Sequence, residues 1–138
     1  MILQKEELTT DTSDMLVLGS GSIARKELLT SVGLIPDKVE IPSIDEGPKP
    51  NERPQIYVKR IATEKVNAIY AERQSYLITA DTIVTVGRRL LMKTSDKKRA
   101  EEYLRLLSGR RHCVFTAFCV KHNGLVSLKL VRTVLKMK

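Results

Sequence analysis

The chain has 138 residues, 42% of them hydrophobic, which is the size of one domain with ample apolar content for a single core. Lys and Arg number 24 against 16 Asp and Glu, and the formal net charge of +8 at pH 7 favours an anionic partner, although a basic solvated surface also explains the bulk charge. Aromatics make up 4%, too few for stacking on bases; no apolar run approaches the roughly 20 residues that cross a bilayer, and Met1 to Asp14 is polar and acidic rather than signal-like. Nucleic acid, membrane insertion and secretion are therefore disfavoured, and a cytoplasmic protein is expected.

After the leader 1–14, Met15 to Leu18 is a short apolar run broken by Gly19-Ser20-Gly21-Ser22, and a helical pattern follows with Leu28, Leu29 and Val32 on one face. Ser22 suits an N-cap and Gly33 a C-terminal stop. Val39 to Ile41 reads as a second strand. Pro42, Gly47, Pro48, Pro50 and Pro54 then mark a long loop carrying Asp45 and Glu46. A second helix starts near Pro54 and runs towards Ala71, with Tyr57, Val58, Ile61, Ala62 and Ile69 as its apolar stripe.

Tyr76 to Val86 is β-branched and apolar around Asp81-Thr82, so it reads as a buried strand, continuous or broken at Asp81. Leu90 to Met92 pairs back, Ser95 caps a third helix ending at Leu107, and Ser108-Gly109 stops it. Val114–Lys121 and Leu125–Leu135 flank His122-Asn123-Gly124, where Asn-Gly signals a type I′ hairpin. The alternation predicts an α/β fold, a mixed central sheet flanked by helices, in one domain spanning 1–138. Lys136-Met137-Lys138 follows the last strand without a closing element, which suggests that a further element is absent.

Three places could carry chemistry. Gly19 to Lys26 joins a strand to a helix N-terminus, where free N–H groups and the helix dipole favour an anion, and Arg25 in the first turn would be better partnered by phosphate than by solvent; a plain glycine-serine turn is the other reading. Asp81 interrupts an apolar strand, a costly position for a carboxylate, which makes it a candidate base or else a group satisfied by backbone amides or Thr82. Asp45 and Glu46 offer oxygen ligands of the kind Mg²⁺ takes alongside substrate phosphates, or are simply solvated. Lys65 and Lys93 look like ordinary surface cations but adjoin elements that converge on the central strands. Cys113 and Cys119 lack any CxxC or zinc pattern and read as reduced structural thiols; His112 and His122 look incidental.

Taken in order, Ser20-Gly21-Ser22-Ile23-Ala24-Arg25, Glu27-Leu28-Leu29, Ile44-Asp45-Glu46, Tyr57 to Ala62 with Lys65, Ala80-Asp81-Thr82-Ile83-Val84, and Leu107-Ser108-Gly109 with His112 and Thr116 resemble the Maf family, the septum-formation inhibitor proteins. The resemblance covers about Leu16 to Val134 and implies a Maf/ITPase-like fold. The activity it implies is metal-dependent hydrolysis of a nucleoside triphosphate to the monophosphate and pyrophosphate, a house-cleaning of the nucleotide pool. By the same resemblance Asp81 would be the proton acceptor, and Ser20, Arg25, Lys65, Thr82 and Lys93 would bind substrate. Glu46 and Asp81 would serve Mg²⁺ or Mn²⁺, and a homodimer is possible.

The chain departs from the family pattern in three ways. Ile23 and Ala24 replace the usual proline and first arginine, the latter a position linked within the family to choice of base. Met92-Lys93-Thr94 stands for Gly-Lys-Pro. The family's C-terminal Ala-Gly-x-Tyr-x-Ile-Gln-Gly segment is missing, which would leave the pocket incomplete; a catalytically impaired nucleotide-binding regulator of cell division is therefore the alternative function. Asp81-Thr82-Ile83-Val84 resembles the branch that hydrolyses dTTP and UTP rather than the 7-methyl-GTP branch.

Overall fold

A computed structural model describes residues 15–137; the leader 1–14 and Lys138 lie outside the described residues. In chain order the elements are β1 (Leu16–Leu18), α1 (Ile23–Ser31), β2 (Lys38–Val39), α2 (Pro54–Ala68), β3 (Tyr76–Val86), β4 (Arg89–Leu91), α3 (Lys97–Leu107), β5 (Arg111–His122) and β6 (Leu125–Lys136). The six strands form one mixed sheet in the order β2-β1-β3-β5-β6, with β4 also paired to β3. The expected α/β architecture with a mixed central sheet is the one observed. No described helix is long and apolar enough to cross a membrane.

β1 runs parallel to both β2 and β3, whereas β5 lies antiparallel to β3 and to β6. Alternation along β3 sends Leu77, Thr79, Asp81, Ile83 and Thr85 to the face covered by α2, and all five are buried. Tyr57, Val58, Ile61, Ala62 and Val66 recur at helical spacing and pack on Val17, Leu77, Ile83, Phe115, Ala117 and Cys119 to make the core. The Thr79 hydroxyl donates to the Ala62 carbonyl at 2.8 Å and pins the helix to the strand. Both cysteines are free, and Cys119 is buried in this layer, its thiol pKa raised by that burial.

Several boundaries differ from the sequence-based expectation. β2 is Lys38–Val39, not Val39 to Ile41, because only these two residues reach β1 in register. α2 stops at Ala68; Ile69 turns extended at the C-cap while keeping its side chain in the core. Asp96, not Ser95, caps α3, its carboxylate accepting from the Lys98 amide at 3.0 Å. Ser22 does cap α1, but Leu28 and Val32 are exposed, and none of the residues of α1 is buried among the described residues. Asn123 and Gly124 both have positive φ, as a type I′ turn requires.

Gly19, at the end of β1, has no room for a side chain. A Cβ there would stand 2.5 Å from Ile69 Cδ1 and 2.7 Å from Thr79 Cγ2. Gly19→Ala should therefore overpack the core and lower stability by about 1–3 kcal/mol, read from the urea midpoint. An unchanged midpoint would show that Ile69 moves aside freely.

Candidate functional site

The sheet is split along one edge of β3. β5 pairs with β3 from Leu77 to Thr85, so β1 and β4 must share the opposite edge; β1 takes Tyr76 to Ile78, and β4 takes Val84 to Val86. Between them Thr79 to Ile83 has no ladder partner on that side among the described residues. This gap lies beyond the carboxyl end of β1, which is flanked by its two parallel neighbours β2 and β3, the position at which open α/β sheets bind ligands.

The N-terminal turn of α1 fills one side of the gap. Ser20 Oγ accepts from the Ser22 amide at 3.1 Å and from Arg25 Nη1 at 3.1 Å, while Ser22 Oγ accepts from the Arg25 amide at 3.2 Å. Arg25 Nη2 donates to Thr82 Oγ1 at 3.2 Å, and Thr82 and Thr116 share a hydrogen bond at 3.0 Å across β3 and β5. Burial lowers the Arg25 pKa, with Asp81 and Glu46 acting in the opposite direction; a guanidinium remains charged regardless. Donors, hydroxyls and one fixed cation thus line a helix N-terminus, the arrangement that favours a bound phosphate.

On the α2 side, Lys65 Nζ stands 3.4 Å from Asp81 Oδ1, 3.4 Å from Glu46 Oε1 and 3.3 Å from the Ala80 carbonyl. Asp81 is only 7% exposed and Lys65 8%, whereas the Glu46 side chain is 52% exposed. Burial raises the Asp81 pKa; Lys65 opposes this, Glu46 reinforces it and Arg25 opposes it. The carboxylate is thereby made a stronger proton acceptor than an ordinary aspartate.

Ser20, Arg25, Lys65, Thr82, Asp81 and Glu46 therefore converge on the gap. Lys93 is exposed in the β4–α3 connection and makes no hydrogen bond or ion pair among the described residues, so no contact joins it to the others. Asp45 points elsewhere, accepting from the Gly47 amide at 3.0 Å. Thr116, whose hydroxyl completes the chain from Arg25, carried no functional reading in the sequence. Its strand position opposite Thr82 is a long-range pairing that only the fold reveals.

Among the described residues no three His, Cys, Asp or Glu side chains cluster at metal-ligand spacing. Asp81 and Glu46 do converge on one cation, Lys65. Two carboxylates without nitrogen or sulfur donors suit a hard ion such as Mg²⁺, which takes one or two carboxylates plus phosphate oxygens, and do not make a closed structural site. A concavity of about 630 Å³ between the end of α2 and the β5–β6 hairpin is lined by none of these residues.

Fold and site together define an α/β domain in which hydroxyls and a guanidinium at a helix N-terminus stand beside a buried carboxylate–lysine pair on the central strand. Residues 15–138 match the family described as Maf-like protein, and the chain belongs to that family. It is 44% identical over 124 residues to the dTTP/UTP pyrophosphatase of Roseobacter denitrificans, covering 90% of this chain and 66% of the relative. Identity to the nucleoside triphosphate pyrophosphatase of Anaplasma phagocytophilum is 39% over 127 residues, 91% of this chain and 66% of the relative. For the dTTP/UTP pyrophosphatase of Cereibacter sphaeroides the values are 42% over 123 residues, 89% and 64%. The chain thus spans just under two thirds of the length of these relatives.

Proposed function

We propose that this site belongs to a cytoplasmic nucleotide pyrophosphatase that hydrolyses a nucleoside triphosphate, dTTP or UTP by preference, to the monophosphate and pyrophosphate. The observation that carries the reading is Asp81, a buried carboxylate of raised pKa in the sheet gap, paired with Lys65 at 3.4 Å and next in sequence to Thr82, which takes the Arg25 guanidinium. A water beside Asp81 gives up its proton to the carboxylate as it attacks phosphorus, and an acceptor of raised pKa serves this better than an ordinary aspartate. Arg25 and Ser20 hold phosphate oxygens at the α1 N-terminus, and Lys65 meets the negative charge that develops opposite. Thr82, tied to Thr116, fixes the far end of the Arg25 guanidinium.

Asp81 and Glu46 would hold a divalent cation, Mg²⁺ or Mn²⁺, which when bound supplies charge neutralisation for the phosphates. Lys93 would join the phosphate contacts on the solvent side. The activities for which the relatives are named support the substrate class, and the threonine after Asp81 supports pyrimidines. The test is pyrophosphate release from dTTP, UTP, CTP and 7-methyl-GTP with Mg²⁺ or Mn²⁺. Release from dTTP and UTP at least about tenfold above the others is expected, a preference of about 1.4 kcal/mol. Nucleotide binding without release by the folded chain would instead favour the cell-division regulator.

A further inference from the structure

We infer that Tyr57 and Arg60 are positioning residues for Glu46, latching the loop from Glu46 to Glu52 onto the first turns of α2 so that its carboxylate stands over Lys65. The inference rests on the proposed reading of Glu46 as a ligand of cation or substrate. The Tyr57 hydroxyl donates a short hydrogen bond to the Glu46 carbonyl. Arg60 uses every arm of its guanidinium: Nε donates to Glu52 Oε2 at 2.7 Å, Nη2 to Glu52 Oε1 at 2.8 Å and to the Gly47 carbonyl at 3.0 Å, and Nη1 to Glu64 Oε2 at 2.8 Å. Glu52 in turn accepts from the Lys49 amide at 3.0 Å, closing the loop on itself.

The spacing on α2 explains why this fixes Glu46 at both ends. Tyr57 and Lys65 are eight residues apart, about 12 Å along one helix face, so one takes the backbone of Glu46 and the other its carboxylate. The Glu52 side chain is 7% exposed, whereas that of Glu46 is 52% exposed: the loop is anchored at its far end and presents its functional carboxylate to solvent. Arg60 holds the Glu52 carboxyl down to about 2, so the latch is fully made above the ordinary glutamate range and is lost only as pH falls towards that value. A lysine, with one point charge, cannot reproduce a fork that grips two carboxylates and a carbonyl.

The test uses Arg60→Lys, Tyr57→Phe and Glu46→Gln in the whole chain. Glu-C cleavage after Glu46, followed by mass spectrometry at pH 8, should accelerate about tenfold in Arg60→Lys and Tyr57→Phe as the loop opens. With dTTP and Mg²⁺, both should raise KM about 10- to 100-fold and leave kcat within about threefold. In a Glu46→Gln background, Arg60→Lys should add nothing further, because it acts through the carboxylate already removed. Wild-type cleavage rates, or a full additional loss in that background, would overturn the inference. If no form binds or hydrolyses dTTP, the proposed function fails while the cleavage rates still decide the latch.

Discussion

Asp81→Asn is expected to lower pyrophosphate release by roughly 10²–10⁴-fold, the range that a positioned general base supplies, while leaving the folded chain at least as stable as wild type at pH 8. The two halves of this expectation have one cause. Asp81 sits on the α2 face of β3, buried, and the burial that makes it a better proton acceptor also disfavours its charged form. Its pKa is raised in the folded state, so the folded chain binds the proton more tightly than the unfolded chain. The stability this contributes is fully present below the ordinary aspartate range and is lost as pH rises through the raised value. Asparagine keeps the shape and removes the penalty on the carboxylate, and Lys65 retains Glu46 and the Ala80 carbonyl as partners. Wild-type turnover should correspondingly rise with pH along a limb lying above the ordinary carboxylate range, and the limb should vanish with the substitution. A residual rate near wild type would remove Asp81 from the mechanism; a large drop in melting temperature would show that the carboxylate is structurally required.

Lys65→Met should destabilise the chain by about 3 kcal/mol at pH 8, because breaking a buried pair leaves a charge without compensation. The value is set at the low end for that class because the ion-pair distances are 3.4 Å and the Glu46 partner is half exposed. Removing the cation also removes the main influence holding the Asp81 pKa down, so that pKa climbs further and the stability lost with rising pH grows. The deficit should therefore shrink on acidification, as Asp81 takes up a proton. Lys65→Met combined with Asp81→Asn should recover most of the loss, and urea titrations of all four forms give the coupling directly. Additive effects would mean that the ammonium and the carboxylate do not form a working pair.

The sequence showed where chemistry had to be explained better than how the chain meets itself. Asp81 stood out because it interrupts an apolar, β-branched run, and the same run with the Asn-Gly turn made β3, β5 and β6 readable. Ser22 was readable as a cap because a hydroxyl follows glycine just before the helix. The gap in the sheet was not, since it depends on β1 and β4 sharing one edge of β3 from distant stretches of chain. Arg60 and Glu64 stand four residues apart on α2, and nothing local shows that Glu52 and Gly47 fold back onto the same guanidinium. Ser95 and Asp96 are both good caps, and which one closes α3 is a matter of a single residue of phase. The apolar stripe of α1 was real as a pattern, yet Leu28 and Val32 stay exposed and Leu29 is only half-buried among the described residues.

Phosphorus NMR of dTTP incubated with the chain and Mg²⁺ tests the central claim most directly, because it resolves every product at once. dTMP and pyrophosphate appearing together in equal amounts, and failing to appear with Asp81→Asn, is the predicted result. dTDP with orthophosphate, or unchanged dTTP in the presence of the folded chain, would contradict it.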